Sequence, residues 1–274
     1  MKQEFTRIAV KVGSNVLARR DGTLDVTRMS ALVDQIAELN KSGVEIILIS
    51  SGAVASGRSE IHPQKKLDSV DQRQLFSAVG QAKLINRYYE LFREHGIAVG
   101  QVLTTKENFS TRRHYLNQRN CMRVMLANGV LPIVNENDTV ATDEIDLSFS
   151  DNDFLSAIVA AIIGADLLVL LSDIDGLYTD DPNKNKDAKL IPYVERITDE
   201  MLGMAKGPST DMGTGGMSSK VGAAGIANDA GADMVIINGD DMEHINQLLA
   251  GEEIGTLFKA HKTTHFHLKN YLDR

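Results

Sequence analysis

Lys11 stands alone inside an apolar run, Ile8-Ala9-Val10-Lys11-Val12, that ends at Gly13-Ser14. A lysine in such a run either carries its ammonium out to water along an apolar stem or meets an anion. A second lysine closes a glycine-rich stretch, Gly213-Thr214-Gly215-Gly216-Met217-Ser218-Ser219-Lys220, that opens a helical segment. Glycines let backbone N–H groups approach oxygens closely, and a helix N-terminus adds partial positive charge. One turn into that helix, Lys220 is placed to reach a phosphate. The stretch is not G-x-x-x-x-G-K-[ST], and Ser218 breaks G-x-G-x-x-G, so a P-loop ATPase and a Rossmann dehydrogenase are both disfavoured.

Two further kinds of segment carry polar chemistry. Ser50-Ser51-Gly52-Ala53-Val54-Ala55-Ser56-Gly57 is a glycine-bearing cradle at the end of an apolar strand. Asn135-Glu136-Asn137-Asp138 and Asp151-Asn152-Asp153 are acidic clusters without the glycine and terminal glutamate of a calcium loop. An aspartate there can meet a substrate ammonium, position lysines, or hold Mg²⁺ through water. Two lysines and two N–H-lined loops together describe phosphoryl transfer, because they neutralise the charge spread over a transferring phosphoryl group. A carboxylate acceptor is already ionised at neutral pH, so no general base is required. The histidines of the tail, His261, His265 and His267, read as a solvated segment rather than a metal site.

The elements that must position these residues alternate. Strands read at Ile8–Val12, Val44–Ser50, Ile97–Leu103, Val130–Val134, Leu167–Leu171 and Met234–Ile237. Helices of 3.6 period read at Thr27–Lys41, Asp71–Glu94, Thr111–Asn128, Asn152–Gly164, Met217–Ala230 and Met242–Leu249. Pro132 pushes its strand towards an edge. Alternation around Thr142-Asp143-Glu144 suggests a hairpin over Thr139–Phe149. This order predicts a three-layer αβα sandwich on a mainly parallel sheet, with ligands at the carboxyl ends of strands. Lys11–Ser14, Ser50–Ala53, Asn135–Asp138 and Ser172-Asp173 all follow apolar strands.

The 274 residues carry 29 Lys and Arg against 37 Asp and Glu, a net charge of −8. That balance argues against nonspecific nucleic-acid or anionic-membrane binding. A single cysteine, Cys121, excludes a disulfide framework. The N-terminus has no apolar core of a signal peptide, and Phe154–Ala165 is too short to span a bilayer. A cytoplasmic protein is expected.

Three segments resemble signatures of the amino-acid kinase superfamily: Lys11-Val12-Gly13-Ser14, Asp175-Gly176-Leu177-Tyr178-Thr179-Asp180-Asp181-Pro182, and Gly213 to Lys220. Ser50 to Gly57, Asn135 to Val140 and Ser150 to Asp153 resemble the acceptor segments of the branch that phosphorylates glutamate. Gly255-Thr256-Leu257-Phe258 is similar to its closing strand. The resemblance runs from about residue 5 to 260. It implies one amino-acid kinase (carbamate-kinase-like) domain over 1–274. Residues to about 165 would form an acceptor lobe, 166–260 a nucleotide lobe and 261–274 a tail.

It also implies ATP with Mg²⁺ as donor and the L-glutamate γ-carboxylate as acceptor, the first step of proline synthesis. Lys11 and Lys220 would hold the phosphoryl group and Asp153 would orient both. Ser51, Gly52, Ala53, Asn135, Asp138 and Asn152 would bind glutamate. Lys11, Ser172, Asp173, Thr214, Gly215, Gly216, Met217, Ser218, Ser219 and Lys220 would bind ATP, with no residue assigned as a metal ligand. Proline as feedback inhibitor, a homo-oligomer (dimer or tetramer) and glutamyl phosphate reductase are the implied partners. The chain departs from the branch at Asn15, where a small serine is usual, and stops too early for the RNA-modification-type (PUA) domain many members carry. Two alternatives stand beside this reading: a superfamily kinase for another acceptor, and a catalytically silent amino-acid-binding module. The Asn135–Asp138 segment speaks against the first and retention of both lysines against the second.

Overall fold

Strands apolar on both faces require a layer of helices on each side, and the chain supplies both. The computed structural model describes residues 5–141, 152–182, 184–204, 216–264, 266–268 and 271. The chain begins with β1 (Arg7–Val12), α1 (Ser14–Leu17), α2 (Val26–Lys41), β2 (Glu45–Ile49), α3 (Ala53–Arg58) and the long α4 (Ser69–Glu94). Then come β3 (Ala98–Thr104), α5 (Glu107–Ser110), α6 (Arg112–Ala127), β4 (Val130–Glu136), α7 (Asn152–Ile163) and β5 (Leu167–Ser172). The last part holds β6 (Tyr193–Val194), α8 (Asp199–Met204), α9 (Met217–Ala230), β7 (Asp233–Asn238), α10 (His244–Ala250) and β8 (Thr256–Phe258). Among the described residues the strands form one sheet in the order β3-β4-β2-β1-β5-β7-β8-β6. Every pairing is parallel except β7 with β8.

Pleat alternation sorts the core. Ile8, Val10 and Val12 face a cluster built with Met29 and Leu32 of α2 and Leu84 and Tyr88 of α4. Ala9 faces the opposite cluster, with Leu155 and Ile158 of α7 and Val221 and Ala224 of α9. Lys11 shares the parity of Ala9, so the pleat turns its stem towards α7 and α9. Helix starts follow local chemistry: the Asp25 carboxylate accepts from the Thr27 and Arg28 amides, and Asp68 accepts from Asp71 N at 2.8 Å.

Pro132 does not end its strand. It lies opposite Gly100 on the edge strand β3, and pairing with β2 begins only after it, at Ile133. Helices α3 and α4 cross where neither carries a side chain: a Cβ on Gly80 would lie 1.8 Å from Ala53 O, and one on Gly57 1.9 Å from Phe76 O. That contact fixes α4 against the loop after β2.

The tail differs from the solvated expectation. His261 N donates to Asn228 O at 3.1 Å and Thr263 N to Asp229 O at 3.1 Å. Phe266, Leu268 and Tyr271 pack on the core cluster beneath α7 and α9. Two aromatic rings and a leucine, each partly buried, dock this short segment despite its polar neighbours. The hairpin expected over 139–149 falls outside the described residues from 142 onward, and so does His265.

Candidate functional site

The carboxyl ends of β1, β2, β4 and β5 lie side by side, so four sequence-distant segments meet there. Lys11 and Lys220 both turn to Asp153, on the first turn of α7. Lys11 Nζ bonds Asp153 Oδ1, and Lys220 Nζ lies 3.1 Å from Oδ2. The two lysine side chains are 7% exposed and the aspartate 0%. Burial pushes the Asp153 carboxyl up, but the charges and hydrogen bonds of Lys11 and Lys220 outweigh it and hold the group below its ordinary value. Two buried cations on one anion leave local positive charge, which favours an incoming phosphoryl oxygen.

Backbone donors frame this centre. Gly13 caps α1 and donates its amide to Leu171 O at 3.2 Å, tying the turn after β1 to β5. Gly216 caps α9 in extended conformation, so the first-turn amides of Met217 and Ser218 point out of the helix start. Ser219 and Lys220 donate their amides to Gly216 O at 3.1 and 3.4 Å. Thr214 and Gly215 lie outside the described residues. Ser172 Oγ bonds Asp173 Oδ1 at 3.1 Å, and Asn15 Nδ2 donates to Asp173 Oδ2 at 2.9 Å. Partial burial pushes the Asp173 carboxyl up, but these donors bring it below its usual value. Asn15, unusual in sequence, thus has a definite partner.

The segments expected to bind the acceptor form a second, connected layer. Asn152 Nδ2 donates to Ser51 Oγ at 2.9 Å, Ser50 O at 3.2 Å and Asn135 Oδ1 at 3.2 Å. Asn135 Nδ2 donates onward to Gln81 Oε1 at 2.9 Å. Gly52 takes φ 103 at the cap of α3, a left-handed turn that suits glycine, and Ala53 is buried behind it. Asp138 is set apart from this chain of amides. Its Oδ1 meets Arg73 Nη2 at 2.8 Å and Nε at 3.0 Å, and Arg73 Nη2 also reaches Glu136 Oε2 at 3.1 Å. Beside them lies a cavity of about 310 Å³ lined by Ser77, Gln81, Gln101, Glu136, Asn137 and Asp138, among others.

The structure therefore joins Lys11, Lys220 and Asp153, and separately Ser51, Asn135 and Asn152. Sequence reasoning missed Arg73, Gln81 and the Asn15–Asp173 contact. The available signal was on α4, where Arg73, Ser77 and Gln81 recur at i, i+4, i+8 as a polar stripe beside the glycine crossing. Among the described residues no cluster of three or more His, Cys, Asp or Glu side chains is placed to hold a metal. No helix among them is long and apolar enough to cross a membrane.

Strands β1 to β7 and the two lysines converging on one buried aspartate lie within residues 6–238, which match the amino acid kinase family, and the chain belongs to that family. A UMP kinase of Bacillus anthracis shares the fold, with a TM-score of 0.64 at 16% identity over 97% of this chain and 100% of that one. Within the family, the chain is 70% identical over 239 residues to a glutamate 5-kinase of Bacteroides thetaiotaomicron, covering 87% of this chain and 65% of that relative. It is also 43% identical over 252 residues to a glutamate 5-kinase of Clostridium acetobutylicum, covering 92% of this chain and 94% of the relative. The chain thus spans just under two thirds of the first relative's length and nearly all of the second's.

Proposed function

We propose that the chain transfers the γ-phosphoryl group of ATP to the γ-carboxylate of L-glutamate, giving ADP and γ-glutamyl phosphate, the opening step of proline biosynthesis in the cytoplasm. One observation carries the reading most of the way. The buried Lys11–Asp153–Lys220 centre is continuous, through the first turn of α7, with the Ser51–Asn135–Asn152 amide cluster. Residues 152 and 153 are adjacent, so the group that orients the lysines and the group that orders the acceptor loop move as one.

In this reading the lobe before about residue 165 holds the acceptor and the lobe from 166 to 260 holds the nucleotide. Lys11 and Lys220 stabilise charge on the transferring phosphoryl, and Asp153 keeps both ammonium groups aimed. Ser51, Gly52, Ala53, Asn135, Asp138 and Asn152 bind glutamate. Ser172, Asp173 and Thr214 to Lys220 bind ATP. A bound Mg²⁺ supplies further charge neutralisation on the phosphates. Magnesium retains several waters and needs only one or two carboxylates beside substrate phosphates, and Asp173 at the end of β5 fits that modest demand. The acceptor arrives ionised, so the site needs no base.

Hydroxylamine trapping tests the reading. Glutamate- and ATP-dependent hydroxamate is expected, and in an acceptor panel scored by ADP release aspartate, carbamate, acetylglutamate and UMP are expected to give none. Nucleotide binding without ADP release would favour a silent binding module. Proline shares the α-carboxylate and amino group of glutamate, so it competes for the same residues in this reading. Inhibition by proline that saturating glutamate cannot relieve would place proline elsewhere. A homo-oligomer, dimeric or tetrameric, and hand-over of the acyl phosphate to glutamyl phosphate reductase complete the proposal; sizing by light scattering and coupled assays check them.

A further inference from the structure

We propose that Arg73, absent from any of the motifs above, pairs with Asp138 to form the head-group reader of the acceptor: Arg73 takes the α-carboxylate and Asp138 the α-ammonium. This rests on the reading of the chain as a kinase of glutamate. An α-amino acid presents a carboxylate and an ammonium on one carbon, so the simplest complementary wall is a cation and an anion held side by side. Arg73 and Asp138 are such a pair, at 2.8 and 3.0 Å. A planar guanidinium matches a carboxylate with two parallel donors, which an ammonium cannot do.

Place and charge agree. Arg73 bridges Asp138 and Glu136, which are 13% and 4% exposed, and both line the 310 Å³ cavity between α4 and the ends of β3 and β4. Among these three side chains one guanidinium meets two carboxylates, so an ammonium would find an acidic wall and the carboxylate beside it the arginine. From Gln81 on the cavity wall, hydrogen bonds lead to Asn135 and then to Asn152, next to Asp153. An acceptor with its reacting carboxylate at the α7 first turn presents its other end towards residues 136–138. The position of Arg73 is not left to a flexible loop. It lies on α4, whose register is set by the Gly80–Ala53 contact, and Gln74 of the same turn donates to Thr139 O at 3.0 Å.

Three acceptors separate the roles: glutamate, glutarate (no ammonium) and 4-aminobutyrate (no α-carboxylate), each as substrate and as competitor of glutamate. Arg73→Gln is expected to weaken glutamate and glutarate at least tenfold while leaving 4-aminobutyrate within twofold. Asp138→Asn is expected to weaken glutamate and 4-aminobutyrate while sparing glutarate. Arg73→Lys, keeping the charge without the fork, is expected to recover part of the loss. The ATP KM and the melting temperature report that the variants are folded. An Arg73→Gln variant that loses all three acceptors alike, or none, overturns the inference and leaves Arg73 a structural brace. Wild-type enzyme that forms no hydroxamate from glutamate overturns instead the underlying reading, so the two failures are told apart by the control.

Discussion

Where α7 meets β1 and α9 two cations share one anion; where α4 meets the end of β4 two anions share one cation. Lys11 and Lys220 converge on a fully buried Asp153, whereas Glu136 and Asp138 converge on Arg73, whose side chain is 31% exposed. The charge left over is positive in the first trio and negative in the second. In the proposed reading each trio meets a ligand group of opposite sign, a phosphoryl oxygen at one and an ammonium at the other. The difference in burial matters as much as the difference in sign. Charges without water must be partnered by protein at all times, while a partly exposed one such as Arg73 can exchange partners at lower cost.

The buried trio should break hardest. Asp153→Asn leaves two desolvated ammonium groups facing each other, a loss of about 3–5 kcal/mol in stability together with loss of turnover. Calorimetry and the hydroxamate assay read both. Because Asp153 is held below its ordinary value in the folded state, its contribution is present above the unfolded pKa. It fades as pH falls through the folded one. Wild type and Asp153→Asn should therefore differ most at neutral pH and converge well below about pH 4.

Lys220→Ala should lower kcat by about 10²–10³, equivalent to roughly 3–4 kcal/mol at the transition state. The melting temperature should change less than in Asp153→Asn, since one lysine still neutralises the aspartate. Near-normal turnover would remove Lys220 from the mechanism. At the Arg73 trio, Asp138→Ala should raise the glutamate KM by tens of fold, about 2–3 kcal/mol, and leave the ATP KM unchanged. Equal damage to both would tie Asp138 to the nucleotide and dissolve the division between the two trios.

Smaller effects sharpen the boundary. Gly80→Ala puts a methyl group against Ala53 O and should cost about 1–3 kcal/mol of stability. Its glutamate KM should rise while Lys220-dependent turnover at saturation survives. Asn15→Ser removes one hydrogen bond to Asp173, roughly 0.5–1.5 kcal/mol, visible as a severalfold rise in ATP KM with glutamate KM unmoved.

The two trios were not equally legible in the sequence. Lys11 announces itself because a lysine in an apolar strand is anomalous, and Asp153 because it opens an otherwise apolar helix. The sheet, too, is written in local periodicity, and the strand through Pro132 fits once its neighbour is seen to be the edge. Arg73 gave no such signal: an arginine on a long amphipathic helix is ordinary, and its partners lie 63 and 65 residues away. Asn15 read only as a departure, because its partner is 158 residues distant. The docked tail was hidden by its polar composition, since the contacts of Phe266 and Tyr271 depend on a surface made elsewhere in the chain. Patterns that repeat within a turn or a pleat survive in sequence; pairings made by tertiary closure do not.

The placement of β1 has a consequence for the birth of the protein. The first strand lies in the middle of the sheet, between β2 and β5, and its lysine meets a partner 142 residues later, which in turn meets one 67 residues further on. Contacts of such separation are slow to form because loop closure precedes any reward. A nascent chain therefore exposes Lys11 long before Asp153 has been synthesised, and the centre cannot close until α9 has left the ribosome. Turnover thus becomes a clock for the last event of folding: in a refolding experiment, helical signal should return first and phosphoryl transfer only when the middle of the sheet is sealed.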